Sequence, residues 1–381
     1  MLVQANGMRS FVSRCLRQTR NRDRLTGILP VFVLLSCVVT PAVADVLAKS
    51  DTTLRLAAWN LEWLSDAGRL TQARFWSRCE ALGWPNEKLA DDLPYCDVYQ
   101  RLGISSAIDY ETKKLVPVRR GLAALARRRV DIVAVQEVQN HSALQAVLPR
   151  GYRVRCFTTR ADALNVGYAI RSAAHLSTTC REIGSLSLED DAAAIHPVRR
   201  GLELAFSVGG SRVALLNVHL KSGCARGRLD NPANAACRVL QRQAAPLERW
   251  VEERANAGVA FAVLGDWNRD LEREAAGGFP ARSDASDPAG PIDPAKVVNL
   301  LAEIDDHAPR ASRLALVRID RRASAAGACR NILDQLVISE SMQRLLMAAA
   351  PPGSELEGRL VRGPAGASDH CSLEAELRFR R

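Results

Sequence analysis

The sequence predicts an α/β fold on three observations. Short apolar runs recur along the chain, helical patterns lie between some of them, and neither an internal repeat nor a sharp compositional shift divides residues 51–381. With 381 residues, 47% hydrophobic and 25% charged, the chain is not collagen-like, not a coiled coil and not largely disordered. It is long enough to bury a substantial core.

The first element is not part of the fold. Six arginines and one aspartate in residues 1–44 supply half of the net charge of +10. The arginine-rich stretch 9–24 runs into the apolar stretch 28–39, and Ala42-Val43-Ala44 follows Thr40-Pro41. Charged, apolar and small-residue regions in that order predict a secretory signal peptide over residues 1–44, cleaved on export to the periplasm or the extracellular space. The apolar run, about 12 residues, is too short for a comfortable membrane span, so no stable membrane insertion is expected after cleavage.

The apolar runs at 54–59, 131–135, 167–170, 213–218, 259–264 and 332–338 have the length and Val/Ile/Leu content of buried strands. Helical periodicity at 118–129 gathers Leu122, Leu125 and Ala126 on one face. A longer helical pattern covers 236–255, where Pro246 is expected to kink or interrupt it. Residues 66–117 and 270–296 carry turn signals without a sustained period and are expected to be insertions or surface loops.

Ten cysteines are present, and Cys15 and Cys37 fall in the signal segment. An even remainder of eight in an exported chain predicts disulfides, with 105 connectivities open. Proximity in sequence suggests Cys79 with Cys96, Cys156 with Cys180 and Cys224 with Cys237, which leaves Cys329 with Cys371. A Cys-x-x-Cys zinc motif is absent from the sequence.

The chemistry sits where the apolar runs end. Asn60 and Glu62 follow Trp59, and Gln136 and Glu137 follow Val135. Asn217-Val218 leads to His219 and Lys221, and Gly265 precedes Asp266, Trp267 and Asn268. Asp334 follows Leu333, and Ser368-Asp369-His370 lies near the C-terminus. Carboxylates gathered at one rim repel one another unless a cation lies among them. Oxygen ligands without cysteine favour a hard ion, Mg2+, with Mn2+ or Ca2+ as alternatives. Two histidines beside them could bind and protonate a phosphate, which completes the groups needed for metal-assisted phosphate-ester hydrolysis.

In this order, Trp-Asn-x-Glu, Gln-Glu, Asn-x-His, Gly-Asp-x-Asn, Leu-Asp and Ser-Asp-His, the motifs resemble the endonuclease/exonuclease/phosphatase superfamily, the deoxyribonuclease I-like group, in an exported bacterial-type member. The resemblance spans residues 54–377. It implies that residues 45–381 form one catalytic domain, a four-layer α/β sandwich of two face-to-face mixed β-sheets with helices outside. It further implies Glu137 as the principal metal ligand, with Asn60, Glu62 and Asp369 near the ion. Asp266 would orient or deprotonate the attacking water, beside Asn268. His219 and His370 would bind phosphate and transfer protons, with Asp334 orienting His370. Which histidine acts as acid and which as base stays open. The phosphate-facing tyrosine or arginine of several members has no clear counterpart here. Asn165, Tyr168 and Arg171 are candidates for that role, with Asn165 retained as a substrate-binding residue, while Tyr168 falls in a strand pattern that suits the core. Asn60 and Lys221 are further candidates for substrate contact.

The expected activity is therefore an exported, monomeric, metal-dependent nuclease or phosphodiesterase acting on a polyanion, nucleic acid first. The tracts Arg127-Arg128-Arg129 and Arg199-Arg200 are compatible with that partner. Alternatives are a sphingomyelinase-type phospholipase C, an inositol or sugar phosphatase, and an inactive binding module on the same scaffold.

Overall fold

A computed structural model describes residues 52–72, 74–160, 162–189, 198–277, 298–305, 312–320, 333–347 and 356–379. The expected signal segment lies outside them, as does most of the loop expected at 270–296. Alternation of side chains along each strand sorts the apolar residues into three layers of core. In β1 (Thr52–Leu64), Leu54, Leu56 and Ala58 point to one face and Ala57, Trp59 and Leu61 to the other. In β7 (Ser211–His219), Val213 and Leu215 face one cluster while Ala214, Leu216 and Val218 face another.

Two mixed sheets result. The other strands are β2 (Ile132–Val138), β3 (Tyr152–Phe157), β4 (Asn165–Arg171), β5 (Thr178–Ile183), β6 (Gly201–Val208), β8 (Ala260–Asp266), β9 (Leu314–Leu316), β10 (Arg318–Asp320), β11 (Asp334–Ser339), β12 (Glu357–Val361) and β13 (Ser372–Phe379). One sheet has the order β10-β12-β13-β1-β2-β4-β3 and the other β5-β6-β7-β8-β11-β9. A central cluster with residues from both sheets, including Leu56, Tyr168, Leu215 and Leu336, lies between them. Helices Val116–Arg127 and His141–Val147 cover the outer face of the first sheet, and helix Ala235–Asn256 covers that of the second. This is the expected four-layer sandwich.

Each of the six apolar runs became a strand. Pro246 sits inside the single helix Ala235–Asn256 and does not end it, contrary to the expectation of a possible break there. It is buried beside Leu247 and Trp250, whose packing offsets the lost backbone hydrogen bond, a cost of about 3 kcal/mol. The stretch 66–117 is a set of short helices around an aromatic cluster of Phe75, Trp76, Tyr99 and Tyr110. The Tyr99 hydroxyl donates to Trp63 O at 3.1 Å, and the Tyr110 hydroxyl accepts from the Ser65 N–H at 2.6 Å. The segment thus braces the end of β1.

Cys79–Cys96, Cys156–Cys180 and Cys224–Cys237 are disulfides, as expected. Cys371 is also disulfide-bonded; Cys329, its expected partner, lies outside the described residues. Among the described residues, no helix is long and apolar enough to cross a membrane.

Candidate functional site

Register brings the polar residues together at one end of both sheets. In the second sheet, β7 and β8 run parallel with His219 opposite Asp266. β8 and β11 run antiparallel with Asp334 opposite Asp266. Three neighbouring strands therefore deliver His219, Asp266 and Asp334 at one rung.

In the first sheet, β1 and β2 run parallel and pair Asn60 with Gln136, then slip until Leu64 meets Val138. A second slip lies between Val135 and Val138 where β2 meets β4. Such bulges re-aim side chains out of the pleat. Glu62, Trp63 and Glu137 take the left-handed conformation there, with φ of 48°, 57° and 56°, a cost of about 1–3 kcal/mol per residue. Two hydrogen bonds hold the distortion. Asn60 Oδ1 accepts from the Glu62 N–H at 2.9 Å, and Glu137 Oε2 accepts from the Trp63 N–H at 3.2 Å. The 367–371 loop is tied down beside them. Ser368 Oγ donates to Asn60 O at 2.7 Å and accepts from the His370 N–H at 2.9 Å, while Trp59 Nε1 donates to His370 O at 3.1 Å.

The side chains converge on Asp266. Asn60 Nδ2 donates to Asp266 Oδ2 and to Glu137 Oε1, both at 3.0 Å, and the Asn268 N–H donates to Asp266 Oδ1 at 2.8 Å. His219 Nε2 lies 3.6 Å from Asp266 Oδ2 and 3.5 Å from Glu137 Oε1. His370 Nε2 lies 3.8 Å from Asp266 Oδ2 and 3.8 Å from Asp369 Oδ1, and its Nδ1 is 2.7 Å from Asp334 Oδ2. Asn60, His219, Asp266, Asp334 and His370 are buried, Glu137 is partly covered, and Asp369 is exposed. Gln136 Nε2 donates to Asn217 Oδ1 at 2.7 Å, joining the two sheets just below the cluster.

The two imidazoles are in opposite states. Burial and the adjacent Arg199 guanidinium hold His219 well below the usual histidine range. Arg199 Nη2 is 2.8 Å from His219 Nε2. A guanidinium can only donate, so Nε2 accepts and the ring proton sits on Nδ1. Burial opposes a charge on His370 too, but Asp334, Asp266 and Asp369 outweigh it and push its pKa up to about 10. Burial raises Asp266 to about 6, with Asp334 adding to the effect and His370 opposing it. Burial likewise raises Glu137.

Of the remaining candidates, Asn165, Tyr168 and Arg171 stand elsewhere, whereas Lys221 lies near Arg199 and Asn268 beside Asp266. Asn165 does not turn its amide to the cluster. Its Nδ2 donates to the carbonyls of Gln139, Arg160 and Asp162, and its Oδ1 accepts from the Thr158 hydroxyl. The Tyr168 hydroxyl donates to Leu215 O at 3.0 Å in the core, and Arg171 pairs with Asp131. Lys221 is half-buried near Arg199, with Nζ donating to Ser222 O at 2.9 Å. The Asn268 amide donates to Leu220 O at 3.0 Å, so the residue acts on Asp266 through its backbone.

The basic tracts separate in space. Arg128 pairs with Glu374 and Arg200 with Glu182 and Glu189. Arg127–Arg129 precede β2, whereas Glu137 is at its far end, about 20 Å along the strand. Arg199 is the member that reaches the cluster, at His219. Its sequence signal was half of an arginine pair, which reads equally well as a solvated surface.

The donor set fits a hard divalent cation. Glu137, His219 and Asp266 are described residues whose ligand atoms lie within 4.8 Å of one another. They share Glu137 with the expected set, while Arg199 already faces the His219 lone pair. Burial makes both carboxylates hold protons more tightly than usual.

No family model matches the chain, and no curated protein matches it. Among solved structures, an endonuclease/exonuclease/phosphatase family protein from Leptotrichia buccalis C-1013-b is 11% identical, covering 86% of this chain and 100% of that one, with a TM-score of 0.44. The chain is similar to that protein. TDP2 of D. rerio complexed with a single-strand DNA product is 16% identical over 86% and 99% of the two chains, with a TM-score of 0.39. The endonuclease domain of TRAS1, a telomere-specific non-LTR retrotransposon, is 12% identical over 87% and 100%, with a TM-score of 0.42.

Proposed function

We propose that the protein is a divalent-metal-dependent phosphoesterase of the endonuclease/exonuclease/phosphatase type, an exported nuclease or phosphodiesterase that cleaves nucleic acid by attack of water at phosphorus. One observation carries the reading: Asp266 lies between His370, held by Asp334, and His219, held by Arg199, next to the carboxylate of Glu137. Residues 45–381 are its single domain.

Asp266 accepts the proton of the attacking water. Asn60 and the Asn268 N–H fix its two oxygens, so the carboxylate needs no reorganisation as charge develops. His370 carries the proton that binds a phosphoryl oxygen and is passed to the departing alkoxide, and Asp334 holds it in place. Arg199 offers a second positive group to the phosphate, and His219 offers its neighbouring ring. Glu137, with Asn60 and Asp369 beside it, would hold a divalent cation, Mg2+ by donor type, and Glu62 lines the same acidic face. When bound, such an ion supplies positive charge to the phosphoryl oxygens.

The mature protein incubated with plasmid DNA, RNA, sphingomyelin and inositol phosphates, with Mg2+ or with EDTA, tests this reading. Hydrolysis of nucleic acid that stops on chelation is expected. Full activity after exhaustive chelation refutes the metal requirement, and turnover of sphingomyelin or inositol phosphate alone refutes the substrate class.

A further inference from the structure

Among the described residues, a buried charge beside the acidic cluster plays no part in that mechanism. Lys114 has a side chain only 1% exposed, and its ammonium donates to Glu62 Oε2 at 3.1 Å and to Ala367 O at 2.9 Å. It comes from the π-helical turn Glu111–Leu115, which closes the braced segment ahead of helix Val116–Arg127. Glu137 and Asp369 are further carboxylates whose charge it feels. The ammonium therefore pairs with Glu62 and lies within electrostatic reach of Glu137 and Asp369, the other two carboxylates that the resemblance places near a metal ion.

Two arguments bear on what that cation does. The first is desolvation. For Glu62 to turn to a metal ion, it would leave Lys114 buried with a lone carbonyl as its named acceptor, and a buried charge stripped of its counter-ion is strongly disfavoured. The second is geometric. Among the described residues, the group whose ligand atoms gather within 4.8 Å of one another is Glu137, His219 and Asp266. Glu62 stands outside that group, on Lys114, and the group is the size of one ion's ligand set.

Resting on the metal-dependent reading above, we propose that Lys114 and Glu62 form a self-neutralised pair that lines the acidic cluster without coordinating, so that the site takes a single divalent ion. Lys114 is in this view a positioning residue. It draws Glu62 to the wall, and through Ala367 it steadies the loop that carries Asp369 and His370.

Binding of Mn2+ to the metal-stripped protein, followed by calorimetry and by electron paramagnetic resonance of the free ion, tests this without reference to turnover. The parent should bind one Mn2+ per chain. Lys114→Met leaves Glu62 unpaired and should bind its first Mn2+ about tenfold more tightly or better, with a second ion now measurable. The double variant Glu62→Gln with Lys114→Met removes a neutral pair and should return to one ion at near-parental affinity. Should Lys114→Met fail to fold by circular dichroism, the double variant, which buries no unpaired charge, decides alone. A tenfold or greater loss of affinity in the double variant makes Glu62 a ligand and overturns the inference, as do two ions in the parent. A parent that binds no Mn2+ overturns the metal-dependent reading itself, along with everything resting on it.

Discussion

Replacing Asp334 by asparagine should strip His370 of its proton at a pH where the parent keeps it. Asp334 Oδ2 stands 2.7 Å from His370 Nδ1, and both groups are buried. Burial alone would pull the imidazole below its usual value, yet its pKa stands at about 10. Against an ordinary histidine near 6.5, that amounts to roughly 5 kcal/mol in favour of the charged ring. An opposite charge within about 4–6 Å moves a titration by about 1–3 pH units, so Asp334→Asn should lower the His370 midpoint by that much. Asp266 and Asp369 remain to support part of it. The assay is the His370 Hε1 resonance followed from pH 5 to above pH 10. Because the folded value is raised, the stability it contributes is complete below the ordinary histidine value and is lost as pH rises through about 10. The gap in urea midpoint between parent and variant should therefore be widest near pH 6 and close toward pH 10. Turnover should fall, though less than in His370→Ala, since the ring remains in place. An unchanged midpoint in a folded Asp334→Asn protein would refute the assignment.

Gly265 has φ of 120°, and a Cβ there would lie 2.4 Å from Val218 O and 3.0 Å from both Asn217 Oδ1 and Gln136 Nε2; Gly265→Ala should cost about 3 kcal/mol and displace Asp266, which thermal unfolding and kcat together would show. Arg199→Met should reduce kcat/KM by about 10- to 100-fold, the worth of one hydrogen bond to a charged group, and raise the His219 midpoint, since the guanidinium that holds it down is gone; a kcat/KM within threefold of the parent would exclude Arg199 from phosphate binding. Thiol titration of the denatured mature protein should find no free cysteine, and two or more titratable thiols would contradict the oxidised framework.

The sequence was most legible where burial on both faces left an uninterrupted apolar run, as in β1, β2, β4, β7, β8 and β11. Strands with one exposed face gave no such run. β3 reads Tyr-Arg-Val-Arg-Cys-Phe and β12 Glu-Gly-Arg-Leu-Val, and both alternate between buried and exposed positions. β5 is exposed along its middle and carries almost no pattern. The strand ends were legible for the same reason as the strands: a carboxylate or imidazole closing an apolar run has few structural reasons to be there. Asn165 ends no such run but begins β4, and its amide holds the preceding turn. Arg199 and Lys114 were hidden because each reaches the cluster from a segment whose local pattern is ordinary. Arg199 enters from the residue pair ahead of β6, and Lys114 from a braced segment folded around aromatic rings. Only tertiary packing brings either cation to the carboxylates.

The central claim is that Asp266 and His370 act directly on water and phosphate. It is tested most directly by kcat on the phosphodiester substrate for Asp266→Ala, His370→Ala and the double variant, each checked for folding by circular dichroism. Each single variant should lose about 10²–10⁴-fold, and the double variant much less than the product of the two losses, because the residues act as a unit. Folded single variants that both keep kcat within threefold of the parent would contradict it.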